Sequence, residues 1–346
     1  MKILVLYEEL ALYLINGFNV AAEKNNWEIL IISKKINSVA PFKFDSVHEN
    51  ITIKEREAFS EEQLLSLVKE FKPDLVFLGG WIHKPYLKIV KSLNVKTVIA
   101  FDNQWKGTLR QILGCLYFKL NLKKYISNAF VAGQKQFDFA KHLGFSESTI
   151  TKGLYCCDFS LFSSYSKLKT QKDSTIPKRF LYVGRYAHEK GIEDLWKAFI
   201  QMQTENPSDW ELWCLGKGSM SPVDHPKIKH FGFLQPNEMA NIIKDTGVFV
   251  LPSLFEPWGV VVHEYAAAGF PILCSNEVGA IDSFLVENSN GFTFTAGNVE
   301  QLKQKLNKFT LMPNADLVLM SQKSFELASK LTPEIWADKL MRIINL

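Results

Sequence analysis

The chain has 346 residues, of which 47% are hydrophobic and 22% are charged. This length exceeds one ordinary hydrophobic core and suits two domains of roughly 150–170 residues, and the composition is too apolar for a disordered protein. The net charge of +4 suits an anionic ligand but is too mild to indicate a nucleic-acid partner.

The cysteines and the first residues predict a cytoplasmic protein. None of the five cysteines forms a CxxC pair, and Cys214 and Cys274 fall inside apolar runs, so we expect buried free thiols in a reducing compartment. The opening residues MKILVLYEEL reach Glu8 and Glu9 after seven residues, without the long apolar region of a signal peptide. No apolar run reaches about 18 residues, so no segment is expected to span a membrane.

In the first half of the chain, short apolar runs predict buried strands at residues 1–7, 28–33, 74–80, 96–101 and 128–133. Helical patterns lie between most of these runs, and the pattern at 60–71 begins with Ser60 as N-cap and Gln63 completing a capping box. Strands that alternate with helices indicate βαβ units and a parallel sheet. The polar stretch 158–178 then resembles an interdomain linker.

The alternation restarts after this stretch, with predicted strands at residues 179–184, 210–216, 248–252, 271–275 and 291–295. The predicted fold class is therefore α/β, with two Rossmann-like domains at residues 1–160 and 176–331 and a C-terminal helix, 332–346, that joins the first domain. Ligands of open parallel sheets bind beyond the carboxyl ends of the strands. The functional residues should therefore lie at strand ends that face a cleft between the domains.

Two cations follow the strand predicted at 179–184. In the sequence RYAHEKG, Arg185 and Lys190 lie where this strand meets its helix. Such a pair beside a helix N-terminus suits a diphosphate, because the side-chain charges, the backbone N–H groups and the helix dipole all favour an anion. The alternative interpretation is two solvated surface charges.

Two glycines follow the strand predicted at 210–216. Gly216, Lys217 and Gly218 form a GxG sequence, whose backbone can approach a phosphate closely. Position 221 is serine, so the GxGxxG fingerprint of dinucleotide sites is incomplete. An ordinary turn explains the two glycines equally well.

The stretch FEPWGVVVHEYAAAG contains two glutamates, Glu256 and Glu264, on either side of a predicted helix start. Pro257 biases Glu256 toward extended geometry and itself suits the first turn of a helix. The unpaired amides at this helix start would be those of Trp258, Gly259 and Val260.

The dimensions of this stretch match a nucleotide sugar. At 1.5 Å of rise per residue, Glu264 lies roughly 9 Å beyond Trp258. Glu256 would bind the sugar hydroxyls and Glu264 the ribose diol, because a carboxylate accepts hydrogen bonds from two hydroxyl groups at once. Alternatively, Glu256 is an ordinary loop residue and Glu264 a surface residue of an amphipathic helix.

In combination, these segments resemble the family 4 retaining glycosyltransferases, whose architecture is the two-domain GT-B fold. The resemblance is carried in the second half by GR-x4-K, LGKG, HFGFLQPNEM, VFVLPSLFEPWGVVVHEYAAAGFPILCS and EVGAIDSFLVENSNGF. The N-terminal half adds NAFVAGQKQFDFAKHLGF and GLYCCDFSLF. The resemblance implies transfer of a sugar from a nucleoside diphosphate sugar, with retention at the anomeric carbon, in surface polysaccharide or glycoconjugate assembly.

The resemblance also assigns a donor site at matching positions. Arg185 and Lys190 would bind the donor diphosphate and stabilise the leaving nucleotide, and Glu256 would hold the transferred sugar; these three are the predicted catalytic residues. Glu264 would bind the ribose, and the region around Phe233 would pack against the base. The predicted donor-binding residues are Gly184, Arg185, Lys190, Gly216, Phe233, Glu256, Trp258, Gly259, Val260, Glu264 and Gly279.

The N-terminal half departs from the family pattern. LYEELALYLINGF offers a single glycine in place of a glycine-rich loop after the first strand, and FDNQWKG replaces the usual histidine segment. The predicted acceptor-binding residues are Gly17, His83, Asp102, Trp105 and Arg110. For His83, an ordinary surface histidine is the alternative interpretation.

No metal or other cofactor is expected. The chain has no D-x-D sequence and no His/Cys/Asp cluster with metal-ligand spacing. Arg185, Lys190 and the helix end would therefore replace a divalent cation at the leaving diphosphate. The resemblance further implies a front-face displacement in which the leaving phosphate acts as the base.

Two other functions stay open: a non-catalytic sugar-nucleotide-binding protein, and a nicotinamide-dependent oxidoreductase with GKGSM as its cofactor site. The expected partners are a nucleoside diphosphate sugar and a glycan, lipid-linked or protein acceptor, with no nucleic acid. Residues 109–126 mix leucines and aromatics with basic residues, as helices on anionic membranes do. A packed helix with a solvated basic face is the alternative, so peripheral contact at the inner face of the membrane stays open.

Overall fold

The computed structural model describes residues 1–34, 47–235 and 238–345, and the chain divides into two compact units. Unit 1 comprises Met1–Cys156 and Leu331–Leu346, and unit 2 comprises Cys157–Lys330. Each unit contains one parallel sheet with helices in the connections between strands. The predicted α/β fold class is therefore confirmed.

Strands buried on both faces form the centre of unit 1. The described strands are β1 (Lys2–Leu6), β2 (Glu28–Ser33), β3 (Ile51–Glu55), β4 (Leu75–Gly79), β5 (Lys96–Phe101), β6 (Asn128–Val131) and β7 (Ile150–Lys152). Their order in the sheet is β3-β2-β1-β4-β5-β6-β7, and all neighbouring pairs run parallel. Continuous apolar runs such as ILVL in β1 are fully buried, as expected for strands covered on both faces.

The helices of unit 1 pack their apolar faces on this sheet. They are α1 (Leu12–Asn25), α2 (Glu61–Phe71), α3 (Lys84–Ser92), α4 (Leu109–Asn121), α5 (Gln134–His142) and the last helix of the chain, α14 (Pro333–Asn345). The capping box predicted for α2 is confirmed: Gln63 N–H donates to Ser60 Oγ at 3.2 Å, and Ser60 N–H donates to Gln63 Oε1 at 2.9 Å.

The C-terminal helix α14 is tied into unit 1 through Trp336, which is 1% exposed. Its indole N–H donates to the carbonyl oxygen of Leu154 at 2.7 Å, and its ring lies edge-on to Phe18 with centroids 5.1 Å apart. A Cβ on Gly17 would lie 2.8 Å from this indole ring. Gly17 therefore lets α1 approach α14 closely.

The strands of unit 2 are β8 (Arg179–Val183), β9 (Glu211–Leu215), β10 (Ile228–Gly232), β11 (Val248–Leu251), β12 (Ile272–Ser275) and β13 (Gly291–Phe294). Their order is β10-β9-β8-β11-β12-β13, again with parallel neighbours. In this order β8 and β11 are adjacent. From β8 the chain continues toward one edge of the sheet, and from β11 it continues toward the other.

The helices of unit 2 are α6 (Phe159–Ser163), α7 (Lys167–Thr170), α8 (Ile192–Glu205), α9 (Ala240–Asp245), α10 (Val260–Ala267), α11 (Ile281–Phe284), α12 (Val299–Thr310) and α13 (Asn314–Ala328). The linker predicted at 158–178 is wrong over its first half, because α6 and α7 are packed parts of unit 2. Lys169 of α7 is fully buried, and its ammonium donates to the carbonyl oxygen of Ile243 at 2.6 Å. Burial lowers the pKa of Lys169 to about 7.

The predicted strands are confirmed at ten positions to within two residues of their ends, whereas β3, β7 and β10 have no counterpart in the sequence prediction. All three lie at an outer edge of their sheet. The predicted state of the cysteines is also confirmed, since all five thiols are free and buried.

Candidate functional site

The chain order of unit 2 creates a crevice at one edge of its sheet. From β8 the chain proceeds outward through β9 and β10, and from β11 it proceeds the other way through β12 and β13. The connections that leave β8 and β11 therefore diverge at the carboxyl ends of two adjacent strands. This topological switch point is where open α/β sheets bind ligands.

Close backbone contacts join the two connections at this point. Leu254 N–H, after β11, donates to the carbonyl oxygen of Glu189, after β8, at 2.9 Å. Gly191 is the N-cap of α8 and has a positive φ of 63°, and a Cβ there would lie 2.1 Å from the carbonyl oxygen of Pro252. Only glycine fits this position, so Gly191 fixes the residues on either side of it.

This packing brings together two of the predicted catalytic residues. The Lys190 ammonium forms an ion pair and hydrogen bond with Glu256 Oε2. The side chains are 19% and 14% exposed, so both are largely screened from water while still reachable. Lys190 lies in a 3₁₀ turn, His188–Lys190, immediately before α8.

The second predicted cation is more exposed. An Arg185 N–H donates to Glu189 Oε1 at 2.9 Å, an i,i+4 pair whose two side chains are both in solvent. Such exposed pairs contribute little to stability. Each predicted cation thus has a carboxylate partner, and an arriving anion would exchange with that partner rather than meet a bare charge.

The loop that carries Glu256 is held by the loop after β12. Glu256 N–H donates to the carbonyl oxygen of Glu277 at 3.2 Å, and Gly279 N–H donates back to the carbonyl oxygen of Glu256 at 3.0 Å. Ala280 N–H donates to the carbonyl oxygen of Trp258 at 2.8 Å. Gly279 therefore supports the position of Glu256 through its backbone, and its N–H is already engaged; its predicted contact with the donor stays a prediction.

The helix after Glu256 begins later than Pro257 predicts. Gly259, with a φ of 89°, is the N-cap, and α10 starts at Val260. The amide of Val260 therefore belongs to the first helical turn, while those of Trp258 and Gly259 lie in the preceding loop. The Trp258 side chain is 2% exposed and packs edge-on to Phe284, so a contact of Trp258 with the donor would involve its backbone, and it stays a prediction.

Glu264 lies one turn further along α10 and is half-buried. Burial, with a smaller contribution from the Asp158 carboxylate, raises the pKa of Glu264 to about 7. Its carboxyl group forms no hydrogen bond or ion pair with the residues that the structure describes. The carboxyl group is therefore partly desolvated and available to hydrogen-bond donors of a ligand.

The glycines after β8 and β9 serve backbone packing. Gly216 has a φ of 138°, and a Cβ there would lie 1.9 Å from the carbonyl oxygen of Gly184. A Cβ on Gly218 would lie 2.1 Å from the carbonyl oxygen of Tyr186. The ordinary-turn interpretation of this GxG sequence therefore suffices. Phe233, directly after β10, is 40% exposed at the same edge of the sheet.

Unit 1 has a cavity of about 250 Å³ at the carboxyl ends of β1, β4 and β5, where its own strand order reverses. Its lining residues are Tyr7, Glu8, Gly79, Gly80, Trp81, Ile82, His83, Ala100, Phe101, Asp102, Asn103 and Tyr155. His83 is half-buried rather than a surface residue, and its Nδ1 is buried without a partner among the described residues. Burial lowers the pKa of His83, which favours the neutral imidazole.

Asp102 also lines this cavity, whereas the predicted acceptor residues Gly17, Trp105 and Arg110 do not. Gly17 is buried against Trp336, so its assignment to acceptor binding is wrong and its role is helix packing. Trp105 stacks on His142 with ring centroids 4.0 Å apart, and Arg110 is exposed on α4.

Sequence reasoning missed Tyr7, Glu8 and Tyr155, which contribute hydroxyl and carboxylate groups to the cavity. The hydroxyls of Tyr7 and Tyr155 are hydrogen-bonded at 3.0 Å. The rule that ligands bind beyond strand ends would have found Tyr7 and Glu8, because they follow β1 directly. Tyr155 carries no comparable signal.

Two further properties bear on chemistry and location. Among the residues that the structure describes, no cluster of three or more His, Cys, Asp or Glu side chains is arranged to hold a metal ion. None of the helices in the same part of the chain has the length and hydropathy needed to cross a bilayer.

Comparison with known proteins identifies related sequences. Residues 166–323 match the family model for glycosyl transferases group 1. The chain is 30% identical over 142 residues to glycogen synthase of Mycobacterium tuberculosis. The matched segment covers 38% of this chain and 34% of that enzyme. It is 25% identical over 229 residues to 2-deoxystreptamine N-acetyl-D-glucosaminyltransferase of Niallia circulans, 60% of this chain and 57% of that one. The first of these matches spans about a third of the relative's length.

Similarity of fold extends over the whole chain. The structure of Alr3699/HepE from Anabaena, solved in complex with UDP and glucose, superposes with a TM-score of 0.74, covering 100% of this chain and 99% of that one at 16% identity. The sucrose-phosphate synthase of Thermosynechococcus elongatus gives a TM-score of 0.70 at 14% identity, over 100% and 98% of the two chains.

Proposed function

We propose that the protein transfers a sugar from a nucleoside diphosphate sugar to a hydroxyl of a glycan, lipid-linked or protein acceptor. The match of residues 166–323 to the family model for glycosyl transferases group 1 and the GT-B fold of the chain support this proposal. The observation that carries the proposal is the Lys190–Glu256 pair at the switch point of the unit 2 sheet. A cation suits the donor diphosphate, and a carboxylate suits the sugar hydroxyls.

Nucleotide release from a panel of nucleoside diphosphate sugars, with and without sugar acceptors, tests this proposal. UDP-sugars come first, because a protein of the same fold binds UDP and glucose. Release that depends on an acceptor supports transfer. Binding without release would favour the alternative of a non-catalytic sugar-nucleotide-binding protein, and absence of binding across the panel would contradict both.

The proposed reaction retains the anomeric configuration. The bond from the anomeric carbon to the diphosphate oxygen breaks, and its electron pair stays on the diphosphate. The acceptor oxygen bonds to the same face of that carbon, and the hydroxyl proton passes to the leaving diphosphate. Lys190, with Arg185 and the amide of Val260, stabilises the negative charge that develops on the diphosphate. Glu256 orients the transferred sugar by accepting hydrogen bonds from its hydroxyls.

The acceptor is proposed to occupy the cavity of unit 1. His83 supports this, because its buried Nδ1 has no partner among the described residues and can accept a hydrogen bond from an acceptor hydroxyl. The neighbouring Tyr7–Tyr155 hydroxyl pair and the Glu8 carboxylate add further groups suited to a polyhydroxylated ligand. Trp81 also lines the cavity, and aromatic side chains can pack against the apolar face of a sugar.

The GKGSM sequence no longer supports the alternative of a nicotinamide-dependent oxidoreductase. Gly216 and Gly218 are glycines because the backbone of residues 184–186 packs against them, which leaves no need to invoke a cofactor phosphate. We therefore retain transfer as the proposal and the non-catalytic binding protein as its alternative.

Transfer is proposed to need no metal ion, because the Lys190 ammonium and the Arg185 guanidinium supply the positive charge at the diphosphate. Excess EDTA should therefore change kcat/KM by less than about twofold, well below the effect of losing an ion that stabilises the leaving group. Loss of turnover on chelation, restored by magnesium or manganese, would contradict the proposed charge compensation. High salt should weaken donor binding in either case, because exposed cations are screened.

Replacing Glu264 with glutamine should raise the KM for the donor by at least about tenfold, the effect of losing charge-assisted hydrogen bonds to the ribose diol. The kcat should change less, since the ribose is remote from the reacting carbon. Equal effects on kcat and KM would contradict a ribose partner. Glu205→Gln, at an exposed glutamate paired with Lys303, is the control.

The raised pKa of Glu264 predicts a pH dependence with a definite sign. The carboxyl group is neutral below its pKa of about 7 and accepts hydrogen bonds from both diol hydroxyls only when ionised above that value. The donor KM of the wild type should therefore rise as the pH falls through about 7. The folded-state pKa exceeds the unfolded value, so stability is lost as the pH rises through the folded pKa. Glu264→Gln should therefore raise the Tm at about pH 8 and flatten the KM profile; a variant that kept the wild-type profile would contradict the assignment.

A further inference from the structure

Helix α4 of unit 1 presents an apolar stripe to solvent. Six large side chains on this helix are each between 48% and 79% exposed: Leu109, Ile112, Leu113, Leu116, Tyr117 and Leu120. Their spacing of three, four and seven positions places all six on one face of the helix. Isolated exposed leucines are common on protein surfaces, but a continuous stripe of this kind marks an interaction site.

The stripe is separate from the face by which α4 belongs to unit 1. Cys115 and Phe118, on the other side of the helix, are buried in the unit 1 core. The start of the helix is capped, with Gln111 N–H donating to Thr108 Oγ1 at 3.3 Å. The helix is therefore held in place without the stripe, which leaves the stripe available for a partner.

Positive charge lines the stripe on both sides. At about 100° per residue, Arg110 and Lys119 lie roughly 90° to either side of the centre of the stripe, and both are exposed. Lys124 follows the helix and is also exposed. None of these three side chains forms an ion pair with a described residue. The sequence from 103 to 137 contains no aspartate or glutamate.

From this arrangement we propose that α4 docks unit 1 onto the surface of an anionic lipid bilayer. The helix would lie in the plane of the interface, with the leucines among the acyl chains and the basic side chains at the lipid phosphates. With 13 residues, α4 is only about 20 Å long and cannot cross a hydrocarbon core of about 30 Å. The inference goes beyond sugar transfer, since docking requires no substrate.

A second copy of this chain fits the same surface less well. Two α4 helices packed stripe to stripe would bring the basic edges of one helix toward those of the other. The stripe and its edges offer no carboxylate to neutralise those charges, and like charges across an interface cost binding energy. Lipid phosphates supply the opposite charge.

Vesicle flotation of the full-length protein tests the proposal. The protein should float with vesicles of phosphatidylglycerol and phosphatidylcholine, and much less with phosphatidylcholine alone. The combined variant Leu113→Gln, Leu116→Gln and Leu120→Gln should lower the partition coefficient by at least about tenfold. The control replaces Leu311 and Leu319 of unit 2, which are 76% and 61% exposed, with glutamine and should leave binding unchanged.

A charge series separates lipid docking from general hydrophobic adsorption. Arg110→Gln, Lys119→Gln and Lys124→Gln should each lower partitioning to the anionic vesicles by about fivefold. Circular dichroism and Tm confirm that each variant is folded. Equal binding to both kinds of vesicle, no binding to either, or a wild-type dimer that the leucine variant converts to a monomer would overturn the proposal.

Discussion

Replacing Lys190 with alanine is expected to lower kcat/KM for sugar transfer by at least about tenfold, and by about a hundredfold if its contribution equals that of one preorganised donor to a developing anion. The ammonium lies at the switch point of the unit 2 sheet and already holds one carboxylate, that of Glu256. In the proposed reaction the leaving diphosphate gains charge, and the Lys190 ammonium is the less exposed of the two cations that would stabilise it. Arg185 is more exposed and freer to move.

The fold should survive this substitution, because Lys190 lies in a turn before α8 and its side chain contributes an ion pair rather than core packing. Lys178→Ala removes another unit 2 lysine from an ion pair, with Asp209 at 3.6 Å, and serves as the matched control. It should leave turnover unchanged. Retention of more than about a tenth of wild-type turnover in Lys190→Ala would show that this lysine stabilises the leaving group by less than the roughly 1.4 kcal/mol expected.

Replacing Glu256 with glutamine should lower kcat more than it raises the donor KM. The amide keeps the shape of the side chain but accepts fewer hydrogen bonds from hydroxyl groups. It also leaves the Lys190 ammonium without its charged partner. If Glu256 orients the reacting sugar, the loss is greatest where orientation decides the rate. We expect kcat to fall by at least about thirtyfold, consistent with one or two charge-assisted hydrogen bonds.

The comparison with Glu264→Gln makes this prediction specific. Both glutamates flank the start of α10, yet one should control kcat and the other the donor KM. Identical kinetic profiles for the two variants would contradict the separate assignments. Single-turnover measurements at saturating donor isolate the chemical step from product release.

The fold was predictable wherever burial gave a strand a continuous apolar run. In the strands KILVL and VFVL, every residue except Lys2 is buried. Both strands were predicted from the sequence alone. The strand ITIKE buries only Ile51, and IKHFG buries only Ile228. Both are edge strands, and more of their residues are exposed and polar because one side has no neighbouring strand. Their hydrophobic pattern is therefore too weak to distinguish them from loops.

The candidate site was predictable in part, for a related reason. The strand-end rule identified Lys190 and Glu256 separately, because each follows an apolar run. It could not predict that they pair, since they are 66 positions apart and meet through the contact of Gly191 with the Pro252 carbonyl. The cavity of unit 1 could not be predicted for the same reason, because Tyr7 and Tyr155 are 148 positions apart in the sequence and meet only in the folded chain.

Hydrogen exchange of the full-length protein, with and without the nucleoside diphosphate sugar that it turns over and with EDTA present, tests most directly where the donor binds. We predict slower amide exchange in residues 185–191 and 253–260, the two connections that meet at the Lys190–Glu256 pair. The protection should be weaker in Lys190→Ala and unchanged in Lys178→Ala. Protection confined to unit 1, or undiminished protection in Lys190→Ala, would contradict a donor site at this edge of the unit 2 sheet.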